Sequence, residues 1–171
     1  MTTPGTISFW KSPANAILVA WLIAGTLDVT TAIVVYSLIM HKVTAIQIFQ
    51  GIASGVYGKD SYSGGMTTAM VGLALHYLIA FTFTIFYFFL FPKITLLKKN
   101  WITSGLVYGI FVWLVMNLGV IQLVFPNPRP ITWDSFLIGA GILMIMIGLP
   151  ISFITNKYFS AKTKVGYTTE V

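Results

Sequence analysis

Four apolar runs fill most of the chain, at residues 14–40, 66–91, 101–125 and 133–156. Each exceeds the stretch of about 20 residues that crosses a hydrocarbon layer of ~30 Å. Only Asp28, in mid-run, and Asp134, at an edge, place a charge inside them. Lipid offers no water to bond exposed peptide groups, so a spanning segment must satisfy them within itself, and each run is expected to be a transmembrane helix. The expected fold is all-α: an integral membrane bundle of four transmembrane helices in a single domain over residues 1–160, followed by a short polar cytoplasmic tail over 161–171. Composition excludes the alternatives. The chain of 171 residues is 57% hydrophobic and 8% charged, whereas a soluble domain carries about 25% charged residues. So few charges cannot hydrate a globular surface, and so apolar a chain does not stay disordered. With no cysteine, thiol exchange, thiolate metal sites and iron–sulfur clusters are excluded for this chain alone. The net charge of +6 is not arranged as a basic surface interleaved with aromatics, so nucleic acid is not an expected partner.

The lysines sit at the ends of the runs instead. Four crossings put both termini on one side, where Lys11, Lys93, Lys98, Lys99, Lys157, Lys162 and Lys164 collect, against Lys42, Lys59 and Arg129 on the other. Positive residues favour the cytoplasmic side, so both termini are expected there. Trp10, Trp101 and Trp133 mark run boundaries, where amphipathic rings prefer the headgroup region. Ser12-Pro13 reads as an N-cap and a first-turn proline that start the first helix. The first run is too long for a cleaved signal peptide and carries an aspartate in its middle. The short connections 92–100 and 126–132 imply antiparallel neighbours. The longer stretch 41–65 contains Ile46, Phe49, Ile52, Ala53 and Val56 on one helical face, with Gln47, Gln50 and Ser54 elsewhere, and predicts an interfacial or re-entrant helix at the outer surface.

A charged side chain at bilayer centre costs ~2.5–3.5 kcal/mol on insertion scales, so Asp28 needs a partner or a task. At about 1.5 Å per residue, Asp28 lies roughly 18 Å from the outer end of its run, His76 about 15 Å and Asn117 about 12 Å. Three polar groups on three consecutive helices thus share one layer. Each also falls on a stripe suited to close helix packing: Ala20, Ala24, Asp28 and Ala32 on the first run; Gly65, Ala69, Gly72, His76 and Ala80 on the second; Gly105, Gly109, Trp113 and Asn117 on the third. Two readings of the layer stand side by side. In one, Asp28 and His76 hold helices together; interhelical polar contacts of this kind average ~0.6 kcal/mol. In the other, Asp28, His76 and Asn117 form a proton relay or polar ligand site reached from the outer face, since histidine changes charge near neutral pH.

The stretch 51–65, GIASGVYGKDSYSGG, is the second candidate. Its glycines permit tight turns and close approach. Tyr57, Gly58, Lys59, Asp60, Tyr62, Gly64 and Gly65 offer rings, donors and acceptors at the mouth of the bundle, as an outer loop that caps the polar layer, holds an anionic headgroup, or simply links a surface helix to the second span. The order of a phosphate-binding loop is absent. His41, near the outer end of the first run, stands well above His76, so a haem held between the two is not expected.

The segments AGTLDVTTA, IASGVYGKDSYSGG, GLALHYLIAF and YGIFVWLVMN together resemble a group of small bacterial inner-membrane proteins, over about residues 17–160. The resemblance implies a bacterial inner-membrane location and a helical architecture, and carries no activity or cofactor with it. The leading expectation from the residues is proton-linked or small-solute transport through the Asp28, His76 and Asn117 layer. Four helices seldom enclose a pathway alone, so the expected partners are the lipid bilayer and further copies of the chain. The alternative is an accessory subunit of a larger membrane complex. A lipid- or quinone-handling enzyme using His76 and Asp28 ranks last, because no nucleophile or metal set accompanies them.

Overall fold

Local capping signals set where each helix begins. A computed structural model describes residues 12–124 and 130–167, with 163–167 as backbone only. Helix α1 spans Pro13–Ile39. Pro13 occupies its first turn, and the Ala16 N–H donates to the Ser12 carbonyl at 3.2 Å. Ser12 contributes backbone only; its hydroxyl caps nothing. The last stretch of α1, Ile33–Ile39, widens into a π-helix, and His41, with a φ of 50°, ends the run. Helix α2 covers Ala45–Tyr57 and opens with a reciprocal cap: Thr44 Oγ1 accepts from the Gln47 N–H, and Gln47 Oε1 accepts from the Thr44 N–H. Gly58, at a φ of 62°, stops it. A single 3₁₀ segment, Gly58–Tyr62, leads into α3, Gly65–Leu90. A short α4, Thr95–Lys99, precedes α5, Trp101–Val124, which the Asn100 side chain caps by accepting from the Ile102 and Thr103 N–H groups. Helix α6, Trp133–Lys162, begins at a Thr132–Ser135 cap, and helical backbone continues to Tyr167, through the first part of the segment expected as a polar tail.

All the regular structure among the described residues is helical, and α1, α3, α5 and α6 are long and apolar enough to cross a membrane. Trp10, Lys11, Pro126, Pro128 and Arg129 lie outside the described residues.

Around the bundle the order is α3, α1, α6, α5. The first and last long helices are therefore direct neighbours, buried against each other through Ala16, Ala20, Ile154 and Tyr158. Helices α5 and α6 approach most closely. A Cβ on Gly105 would lie 2.8 Å from the Gly148 carbonyl, and one on Gly109 would strike the Met144 backbone. The matching stretch of α6, Met144–Gly148, is π-helical just before Pro150. Proline has no N–H and its ring crowds the carbonyl four residues earlier, which accounts for the widened turn. By contrast α3 and α5, though consecutive long helices, meet mainly through aromatic rings: Phe86 stacks on Phe111 and Tyr87 lies against Tyr108, with centroids at 5.6 and 4.6 Å.

Helix α2 folds back onto the start of α3. Gln50 Nε2 donates to the Gly65 carbonyl at 3.1 Å, and Gly72 leaves room for the Phe49 backbone. Of the apolar residues expected on one face, Ala53 is buried and Ile46 and Val56 are exposed, while the polar Gln50 is buried where it reaches backbone carbonyls. Hereafter the two extremities are the α2 end and the α4 end.

Candidate functional site

The contact between α1 and α3 is a polar seam on two apolar helices. Gly25 makes it possible, since a Cβ there would lie 3.1 Å from the Tyr77 ring. With the helices this close, three hydrogen bonds cross in succession. The Trp21 indole Nε1–H donates to the Tyr77 carbonyl at 2.7 Å, His76 Nε2 bonds the Gly25 carbonyl at 2.9 Å, and Thr26 Oγ1 and Tyr77 Oη share a hydrogen at 2.9 Å. A carbonyl only accepts, so Nε2 is the nitrogen of His76 that carries the hydrogen. In the neutral ring Nδ1 then holds the lone pair and is the atom that takes up a second proton.

Asp28 sits one turn beyond Gly25 on α1, half-buried like His76, and lies within electrostatic reach of its imidazole. Tyr36, in the π-helical part of α1, lies within reach of the same carboxyl group. No hydrogen bond joins Asp28 to His76 among the described residues, so the pair is coupled through space while the imidazole is anchored to backbone.

Asn117 stands apart from this pair. Its Nδ2 donates to the Trp113 carbonyl of its own helix at 3.0 Å, and its own carbonyl accepts from Gln122 Nε2 at 3.2 Å. The stripe that carries it packs on α6: Gly105 and Gly109 meet the Gly148 and Met144 backbone, and Trp113 lies where a Cβ on Gly139 would be. The α3 stripe also divides. Gly72 holds α2, whereas His76 and Ala80 meet α1 at Gly25.

Residues of the outer loop serve the α2–α3 turn. Ser63 donates through both its N–H and its hydroxyl to the Asp60 carbonyl, and Thr68 Oγ1 donates to the Ser61 carbonyl at 2.5 Å. Gly65, at a φ of 58°, adopts a left-handed conformation that a side chain would strain. Gly64 lies against Thr68, and Tyr57, Gly58, Lys59, Asp60 and Tyr62 are exposed. Among the described residues no hydrogen bond links this loop to Asp28, His76 or Asn117, and no group of three His, Cys, Asp or Glu side chains is placed to hold a metal.

A second polar cluster, which the sequence reading passed over, lies at the α4 end. Tyr87 Oη donates to Ser152 Oγ at 2.8 Å, and Ser152 Oγ donates to the Trp101 carbonyl at 2.7 Å. Tyr87 has one hydroxyl hydrogen, so the 2.5 Å contact with Ser104 Oγ is a donation from the serine. The chain runs Ser104 to Tyr87 to Ser152 to Trp101, joining α3, α5 and α6 with every hydroxyl hydrogen used. Nearby, Tyr108 Oη donates to the Phe83 carbonyl at 2.6 Å. The depth count that singled out Asp28 and His76 contains this signal as well: Tyr87, Ser104 and Ser152 each fall three or four residues from the same end of their runs.

Comparisons with protein-family models, with curated proteins and with solved structures find no match for this chain.

Proposed function

We propose that the chain is a multi-pass protein of a bacterial inner membrane, with both termini cytoplasmic, that couples proton exchange at His76 and Asp28 to the movement of a small solute. What supports the membrane reading is the outward apolar surface of all four long helices, with Leu38, Leu78, Leu118 and Leu137 each more than half exposed. Contiguous surface of this kind is rare on soluble monomers. The observation that carries the proton reading is the anchored imidazole. With Nε2 held by Gly25, a second proton falls on Nδ1, and the Asp28 carboxyl group lies within electrostatic reach of the ring. Each step moves one proton onto or off Nδ1 without breaking the bond that fixes the ring. The reading rests on Asp28 and His76 and does not use Asn117. A solute path would form between copies of the chain, since the described residues of each copy supply four helices long and apolar enough to span a membrane.

Proteoliposomes with a trapped pH-sensitive dye test the relay under an imposed pH gradient. The wild-type chain is expected to dissipate the gradient at least tenfold faster than Asp28→Asn or His76→Gln variants of unchanged helical content. Equal rates in all three overturn the reading. Because the chain lacks cysteine, single cysteines report orientation cleanly. An impermeant maleimide added to intact spheroplasts is expected to label Lys59→Cys, and Lys98→Cys only after permeabilisation; the reverse pattern inverts the topology.

A second reading, an accessory subunit, is favoured by the shallow groove of about 370 Å³ between α3 and α5, lined by Ile79, Phe83, Phe111 and Met116 among others. Gentle native extraction would then yield a discrete complex with a second polypeptide.

A further inference from the structure

We infer that Tyr36 is a further group of the proton relay, passing protons between the Asp28 carboxyl group and the α2 end of the bundle. The inference rests on the proton reading above and extends it by one residue. The phenol oxygen accepts a hydrogen from the carboxyl group, directly or through water, as the phenol releases its own hydrogen toward the α2 end. The inward step is the reverse. One proton moves each time, and the phenol is neutral before and after.

Backbone winding brings the two residues toward one face. Asp28 and Tyr36 are eight residues apart, which on a regular α-helix sets them about 80° from each other. From Ile33 to Ile39, however, α1 is π-helical. The Met40 N–H donates to the Val35 carbonyl, five residues back, at 2.9 Å, and the Lys42 N–H closes the run on the Tyr36 carbonyl at 3.0 Å. Bonds to the fifth residue in place of the fourth wind the chain through a smaller angle at each step. Half of the interval from Asp28 to Tyr36 is wound in this way, so Tyr36 turns back toward the Asp28 face. Helical side chains also lean toward the N-terminus of their helix, which for Tyr36 is the direction of Asp28. The two groups accordingly lie within electrostatic reach of each other. Pro150 accounts for the π turns of α6, but α1 has no proline after Pro13. Such turns recur at functional positions.

Spare bonding capacity marks both groups. Tyr77 shares a hydrogen with Thr26, Tyr87 donates to Ser152, and Tyr108 donates to the Phe83 carbonyl. Tyr36 Oη and the Asp28 carboxyl group are half-buried and have no hydrogen bond among the described residues. Tyr36 stands three residues before the last of α1, and His41 and Lys42, just beyond, are exposed. The phenol therefore lies between the carboxyl group and the aqueous side. Little else competes for the proton on the elements packed against α1. Besides His76, the titratable groups of α3 are Tyr77 and Tyr87, bonded as above. Asp134 of α6 and Tyr57 of α2 are exposed at the α2 end, and the lysines and Tyr158 of α6 lie near the α4 end.

The same dye-loaded proteoliposomes test the assignment, with full-length variants of unchanged helical content. Tyr36→Phe keeps the ring and removes the exchangeable hydrogen, and is expected to slow dissipation of the gradient about fivefold or more. Tyr36→His fits the space of tyrosine less well but carries a proton, and is expected to recover at least about half of the wild-type rate. Tyr57→Phe, at the exposed end of α2, is expected to leave the rate unchanged. Slowing of Tyr36→Phe by less than about fivefold overturns the assignment. Equal slowing in the phenylalanine and histidine variants also overturns it, since that marks a role in packing alone, as does equal slowing in Tyr57→Phe. Asp28→Asn and His76→Gln, measured alongside, separate the two readings. If neither slows the flux, the relay falls and Tyr36 with it; if both do and Tyr36→Phe does not, Tyr36 alone leaves the relay.

Discussion

The Tyr87 cluster at the α4 end and the Asp28–His76 pair in the half nearer α2 are both polar groups on long apolar helices, but their bonding capacity is used very differently. Tyr87 and Ser152 are fully buried, Ser104 nearly so, and each hydroxyl hydrogen has an acceptor on another residue. Asp28 and His76 are half-buried, and in the neutral state the imidazole keeps one nitrogen uncommitted while the carboxyl group has no hydrogen bond among the described residues. A closed chain of neutral hydroxyls holds three helices in one arrangement and has no proton to give up. An ionisable pair with spare capacity and partial exposure is what the proposed proton exchange requires. The two clusters on the same scaffold thus differ in how completely their hydrogen bonds are used.

Disrupting the fastened end should have the largest effect. Gly105→Leu beside Ser104 would press a branched side chain onto the Gly148 carbonyl and the Leu149 backbone, atoms that cannot rotate away. Overpacking of this kind costs roughly 1–3 kcal/mol, and the upper part of that range is expected in thermal unfolding of the detergent-solubilised chain. Gly119→Ala, where nothing lies within 4 Å of the added Cβ, is the matched control and should leave the midpoint unchanged.

Removing one hydroxyl sharpens the contrast at a smaller scale. Tyr87→Phe keeps the ring and deletes two bonds of the chain, leaving Ser104 without its acceptor, and is expected to destabilise by about 1–2 kcal/mol. Asp28→Asn deletes no hydrogen bond and is expected to change stability by less than about 0.5 kcal/mol while abolishing proton exchange. Comparable stability losses in the two variants would erase the distinction between the regions.

The smallest effect should carry the opposite sign. Thr155 Oγ1 is buried with no hydrogen-bond partner among the described residues. Thr155→Val replaces the hydroxyl with a methyl group of similar shape and is expected to stabilise the chain by up to about 1 kcal/mol. A loss of stability in the same unfolding measurement would mean that this hydroxyl, too, belongs to the fastened end.

Much of this was legible in the chain, because it depends on residues close together in sequence. The four long helices follow from uninterrupted apolar runs, the start of α1 from Pro13, the end of α2 from Gly58, and the existence of α2 from its spacing. Asp28 and His76 could be set at similar depth by counting residues at a constant rise. The direction each face takes could not be counted. Gln50 is buried because it bonds the Gly65 carbonyl, and Asn117 went to its own helix because α5 packs on α6.

By itself, then, the sequence determined the four long apolar helices and most of their starts, since those follow from hydropathy and capping within a few residues, though not the short α4 or the run of α6 past residue 156. It also determined the order and approximate spacing of the polar groups along each helix. Only the tertiary structure decided the neighbour order α3, α1, α6, α5, and with it which polar residues meet. Residues as distant as Gly25 and His76, or Tyr87 and Ser152, come together only when small side chains on two particular helices allow their backbones to touch. That choice is made by packing among all the helices at once, and no single run contains it.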